Sequence, residues 1–174
     1  MSTLKVSTIS PLGTDATNTI TIGSSGDTAA GVFTNTPYFR AFLNANQSIA
    51  NSTRTLVTFN STSFDASSAY STSTGRFTPQ TAGHYYVSTA LKTDTGTNFT
   101  NFTLYLRKNG TEILEVSAFN DAYNSTFGAT IIQLNGSTDY VDVAANQNSG
   151  GAINLNGGSE GKKNFFTAFK LIGW

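Results

Sequence analysis

Apolar and polar residues alternate along most of this chain with a period of two, in short runs broken by turn residues. Phe39, Ala41 and Leu43 mark one extended piece, and Leu56, Val57 and Phe59 mark another, with Phe64 and Tyr70 beyond. In the longest run Tyr85, Val87 and Leu91 alternate with small or polar neighbours. Phe102, Leu104 and Leu106 then alternate with Thr103, Tyr105 and Arg107 on the way to Asn109-Gly110. That dipeptide predicts a tight hairpin, because both central residues of a type I′ turn need positive φ. Ile113, Leu114 and Val116 form the return strand. Ala129–Leu134 runs into a second such dipeptide, Asn135-Gly136, after which Tyr140, Val141 and Val143 carry the chain back. The segment 165–174 closes it. No window of useful length has helical periodicity, so the pattern predicts an all-β sandwich or barrel.

Residues 1–36 differ in texture. Leu4 and Val6 alternate with polar neighbours, Pro11-Leu12-Gly13 turns the chain, and Ile20 and Ile22 alternate again before a Gly/Ser joint. Two short strands cannot bury enough apolar surface alone. The segment therefore needs neighbours, either copies of itself or a larger particle; the alternative is a leader with little structure. The expected division is an anchoring and assembly arm over 1–36 and a β head over 37–174.

Composition narrows the function. Charged residues make up 11% of the 174 residues, against about 25% in ordinary globular domains. Ser, Thr and Asn supply the polarity instead, which suits turns and exposed strand faces. Ten basic and ten acidic residues cancel and are scattered singly, so no basic stripe exists for nucleic acid. There is no cysteine, which excludes disulfides and thiolate metal sites. The first residues hold no apolar stretch of signal-peptide length and no run reaches a membrane span; the expectation is a protein without a signal peptide and without a membrane partner. Asn-x-Ser/Thr triplets fall at Asn46, Asn51, Asn60, Asn98, Asn101, Asn109, Asn124 and Asn135. In so Asn- and Ser/Thr-rich a chain they arise by chance.

Candidate chemistry is thin. His84 is the single histidine, and no G-x-S-x-G elbow or other nucleophile signature accompanies it, so it reads as a structural or surface residue. Asp139 and Asp142 flank a predicted hairpin, Glu112 and Glu115 lie on one strand, and Asp121 sits in a loop. Nothing pairs them as glycosidase acids, and no calcium-loop pattern is present. The chain is therefore expected to hold no catalytic residues, no cofactor and no metal, and not to be an enzyme. Thirteen Phe, seven Tyr and one Trp suit a core or a subunit seam, and Trp174 is a candidate for packing on a neighbouring strand or sister subunit.

The stretch from Ser73 to Leu91 carries a resemblance. Ser73, Thr74, Gly75, Phe77, Thr78, Gly83, Tyr85 and Tyr86 stand in the order S-T-G-x-F-T-x-P-x-x-G-x-Y-x-F, with Pro79 one place early. This resembles the signature of complement 1q-like heads, in the tumour-necrosis-factor-like superfamily. Arg107-Lys108-Asn109-Gly110 resembles their L-x-x-N-G hairpin, Ala129–Asp142 their strand–L-x-x-G-D-x-V hairpin, and Phe166–Leu171 their closing strand, with Ala168 in place of a glycine. The resemblance implies a ten-stranded, two-sheet jelly roll over 37–174 and a homotrimer formed through one aromatic-rich sheet. It also implies a signature core of Phe77, Gly83, Tyr85, Tyr86, Phe166 and Phe169.

The leader, Ser2-Thr3-Leu4-Lys5-Val6-Ser7-Thr8-Ile9 followed by Thr19–Ile22, resembles the N-termini of virion structural and tail-fibre proteins of tailed bacteriophages. That implies a viral structural protein made in host cytoplasm, located in the virion, and joined to other virion proteins by the arm. Two roles follow. A tail-fibre or spike tip would bind a host surface glycan or protein through loops at 44–51, 92–101, 119–127 and 147–163. A capsid decoration protein, cement or head fibre, would cover the shell. A secreted complement 1q-like ligand or lectin-like module is the alternative from another class, and a polysaccharide-degrading tail enzyme is a third.

Overall fold

The computed structural model describes residues 36–93, 101–118, 125–158 and 161–172. The expected arm over 1–36, apart from Thr36, lies outside the described residues, as do Asp121 and Trp174. The described chain is all β, without helix. In order come β1 (Tyr38–Phe42), β2 (Gln47–Ile49), β3 (Thr55–Val57), β4 (Ser61–Ala66) and β5 (Tyr70–Ser71). Then follow β6 (Arg76–Phe77), β7 (Gly83–Lys92), β8 (Phe102–Lys108) and β9 (Thr111–Ala118). The last four are β10 (Ser125–Leu134), β11 (Val141–Gln147), β12 (Ile153–Leu155) and β13 (Phe165–Lys170).

Two five-strand ladders form the sandwich, in the orders β10-β7-β13-β1-β4 and β5-β6-β11-β8-β9. These are the ten strands of the expected jelly roll. Three short strands are added: β3 pairs with β11, and β2 with β12. The alternation of the sequence sets which side of each strand is buried. On the first sheet Phe39, Ala41, Tyr85, Val87, Leu91, Leu134, Phe166 and Ala168 point inward; on the second Phe77, Leu104, Leu106, Val141 and Val143 do. Aromatic rings bridge the layers. Phe39 of the first sheet stacks on Tyr70 and Phe77 of the second, with ring centroids 4.8 and 4.7 Å away.

Asn109 and Gly110 close the β8–β9 hairpin with φ of 52° and 81°, the type I′ geometry read from the sequence. Asn135-Gly136 behaves differently, and the expected β10–β11 hairpin is not formed. Strand β10 pairs with β7 in the first sheet while β11 pairs with β8 in the second, so residues 135–140 cross between layers. Asn135 makes this crossing by accepting, through Oδ1, the backbone N–H of Ser137, Thr138 and Asp139, each at 3.0 Å. A side chain that caps three amides holds a wide turn rather than a two-residue one.

Side-chain amides fasten other loops to strands. Asn164 receives Lys92 N at 2.6 Å and donates to Lys92 O and Asn156 O. Gln147 donates to Ile49 O and Gly151 O and accepts from Ser149 N. Gln47 spans Leu56 O and Thr58 N. Each bond gives a backbone N–H or C=O a side-chain partner.

Candidate functional site

Among the described residues, strand parity leaves one side of the first sheet without a packed layer over it. Registers across β10, β7, β13 and β1 align Ile131 with Tyr86, Tyr86 with Phe169, and Phe169 with Tyr38. Two residues further along, Ala129, Ser88, Thr167 and Arg40 form a row of small or polar groups, reaching Phe64 on β4. A third row holds Phe127, Ala90, Phe165 and Phe42. The large apolar members Tyr38, Phe64, Phe127, Ile131 and Phe169 are between 36% and 57% exposed. They also touch one another: Tyr86 lies 5.3 Å from Phe169 and Tyr38 5.7 Å from Phe64, between ring centroids. Arg40, in the middle row, is held down, with its guanidinium 4.4 Å above the Phe165 ring and Nη2 donating to Gly161 O at 3.0 Å.

The outward side of the second sheet is chemically opposite. Asp142, with 1% of its side chain exposed, accepts a hydrogen bond from Arg107 Nε at 2.7 Å. Arg54 pairs with Glu112 and lies over the Tyr105 ring at 4.2 Å; its bond to the Tyr105 side chain is the main reason its guanidinium holds its proton still more tightly than usual. Arg76 lies over Tyr140 at 4.0 Å. At the hairpin tips Asp139 accepts from Asn109 Nδ2 and from Lys108 Nζ. The Asn109 amide, then Lys108, lower its carboxyl below the usual range.

The described ends of the connections expected to bind a receptor gather at one end of the sandwich. Register places Phe42, Lys92, Phe102, Ala118, Ser125 and Phe165 together there, whereas Thr36 leads into β1 at the other end. The connections are less free than the sequence suggested. Segments 44–51 and 147–163 pair through β2 and β12, and Ile49, Ile153 and Leu155 are buried in the core. Residues 94–100 and 119–124 of the other two lie outside the described residues.

Comparison with known proteins rests on this architecture. The sequence model of the C1q domain matches residues 39–169. The chain belongs to the C1q family. Among solved structures, the globular domain of zebrafish complement 1qA is 21% identical with a TM-score of 0.55, over 78% of this chain and 96% of that one. Murine APRIL is 14% identical with a TM-score of 0.60, covering 78% and 98%. The Eiger TNF of S. frugiperda is 14% identical with a TM-score of 0.57, covering 79% and 95%. At such identities these structures share the fold. No curated protein matches significantly.

Of the signature residues of this C1q domain, Phe77, Tyr85 and Phe166 are fully buried. Gly83 is half-buried with φ of 153°, and a Cβ there would meet Lys170 Cε at 2.6 Å. Tyr86 and Phe169 are not in the core: they stand on the outward face of the first sheet, because they carry the opposite parity to Tyr85 and Phe166. His84 shares the outward parity of Tyr86 and sits beside Gln133. Glu112, Asp139 and Asp142 each bind a cation or an amide donor rather than one another. Among the described residues no group of three or more His, Asp or Glu is placed to hold a metal ion.

The structure also accounts for most of the sequon asparagines. Asn46, Asn51, Asn60, Asn101, Asn109 and Asn135 each accept a hydrogen bond through Oδ1 from the fold itself. Composition pointed to turns; the donors to Asn46, Asn51, Asn60 and Asn109 lie too far along the chain to be read from it. Asn98 and Asn124 lie outside the described residues.

Proposed function

We propose that this C1q domain is a non-enzymatic head that assembles as a homotrimer through the outward face of its first sheet and binds a partner through the loop-bearing end. The observation that carries the reading is the contrast between the two outward faces. One presents rows of aromatic and aliphatic side chains around a pinned arginine, and the other is laced with ion pairs. Interface cores are depleted of charge and enriched in Tyr and Phe, and contiguous exposed apolar surface marks a contact site. Three copies about an axis would repeat one heterologous contact and close. Light scattering on the purified protein tests this: the expected mass is three chains, and Ile131→Asp should give single chains that remain folded. A wild-type monomer at micromolar concentration would reject it.

The setting we propose is a bacteriophage virion, with the head as a tail-fibre or spike tip engaging the host surface. The leader's likeness to virion proteins supports it, as does the entry of Thr36 at the end opposite the loops. Protein that blocks phage adsorption to susceptible cells would support the tip. Copy number matched to capsid symmetry would move the head to the shell. A secreted ligand is the second reading, favoured by the likeness to complement 1qA and APRIL, and detection of the chain outside cells in the absence of particles would favour it.

A further inference from the structure

The outward face of the second sheet holds an arginine that the fold engages as an ion pair only weakly, through Nε. Arg107 takes Asp142 at 2.7 Å, and Arg54 takes Glu112. Arg76 is left with the far side of the same Asp142, at 3.9 Å from Nε. Among the described residues no acceptor meets either of its Nη groups, yet its position is set: the guanidinium lies flat on Tyr140, 4.0 Å from the ring centroid. Tyr140 is in turn held by the bond from its backbone N to Asn109 Oδ1, 2.9 Å. The side chain is 44% exposed. An arginine already stacked loses less side-chain freedom when it binds an anion, and its fork matches a carboxylate.

The surroundings of Arg76 are hydroxyl-rich. Ser71 stands opposite it in the β5–β6 pair, and Thr72, Ser73 and Thr74 form the exposed turn between the two strands. Ser71 Oγ and Ser73 Oγ lie 3.0 Å apart. Hydroxyls on the paired strand and turn, together with an arginine whose Nη groups meet no acceptor among the described residues, suit a ligand that carries both a carboxylate and hydroxyl groups. We propose that Arg76, backed by Tyr140 and flanked by Ser71, Ser73 and Thr74, is a seat for the carboxylate of an acidic sugar such as a uronic acid. This rests on the proposed assembly only in that the second sheet's outward face stays uncovered.

Calorimetric titration of the full-length protein with trigalacturonate tests the seat, with neutral trigalactose and poly-glutamate as comparison ligands. The expected result is binding that weakens with added salt, falls about tenfold in Arg76→Lys and is lost in Arg76→Ala. Arg54→Ala should bind as wild type, since that arginine already holds Glu112. No heat with the acidic sugar, equal binding by Arg76→Ala, or equal binding of the neutral sugar would overturn the proposal. Poly-glutamate binding as tightly as the saccharide would overturn the sugar and assign an acidic peptide. Light scattering on each sample separates the two readings: a monomer that binds removes the trimer and keeps the seat, and a trimer that does not bind does the reverse.

Discussion

Phe77 meets Tyr85 edge-on across the sandwich, with ring centroids 5.5 Å apart. The two belong to different sheets, and Phe77 also stacks on Phe39. The stretch between them in sequence, Thr78 to His84, is thus clamped at both ends. Phe77→Ala should cost about 3–5 kcal/mol, a large share of the ~5–15 kcal/mol that holds a domain together. Urea unfolding would measure it. Tyr85→Phe keeps the ring but removes the 2.6 Å bond from its hydroxyl to Thr81 O, and should cost only about 1 kcal/mol.

Alkali should unfold the protein by way of these same phenols. Burial raises Tyr85 from 10.0 to about 12, and burial raises Tyr70 further still, against the opposing bond to Phe59 O. A raised folded-state value means the neutral ring is favoured in the native protein. The stabilisation is therefore complete below pH 10 and is lost progressively as pH rises toward 12, where the unfolded chain has already ionised. Absorbance at the phenolate band should show Tyr70 and Tyr85 ionising together with loss of the β signal. A titration of all seven tyrosines complete before any unfolding would contradict this.

Neighbouring positions on β7 should respond in opposite ways. Tyr86→Asp places a carboxylate on the outward face, so the head should fold, melt cooperatively and lose the self-association proposed for that face. Val87→Asp buries the same group without a partner, at a cost of about 3–5 kcal/mol, and should leave little folded protein. Circular dichroism with light scattering distinguishes the two, and two variants that behave alike would undo the assignment of faces.

Two glycines differ in what replaces their hydrogen. At Gly136, with φ of 72°, a Cβ would run into the backbone of Thr81 and Ala82. At Gly83 it would meet the end of the Lys170 side chain, which is free to swing. Gly136→Ala should destabilise by about 3 kcal/mol or more and Gly83→Ala by about 1 kcal/mol. Thermal melts of the pair give the order.

The fold was legible where parity alone decides it. Phe102, Leu104 and Leu106 alternate without a break, and β8 buries all three. Legibility ended where a partner lies far along the chain. Asn164 and Lys92 are joined by two hydrogen bonds across 72 residues, and no local pattern records it. The dipeptide Asn135-Gly136 has the composition of a hairpin turn, but Asn135 spends its side chain on capping three amides instead. Tyr86 and Phe169 were assigned to the core for being aromatic members of a signature, although their parity already set them apart from Tyr85 and Phe166. Arg76 was silent in the sequence, because its unmet Nη groups emerge only when Arg107 has taken the near side of Asp142 and Arg54 has taken Glu112.

The position of the loops has a consequence for how this chain can change. Thr36 and the hairpin tips lie at one end of the sandwich, and the connections around Phe42, Lys92, Ala118 and Asn164 lie at the other. Lengthening the connection after Lys92 or after Ala118 costs only a slowly growing closure entropy and leaves the registers of β1, β7, β10 and β13 untouched, whereas the connections next to Phe42 and Asn164 carry β2 and β12 and bury Ile49, Ile153 and Leu155. Insertions after Lys92 or Ala118 therefore leave the outward rows built from those strands in place.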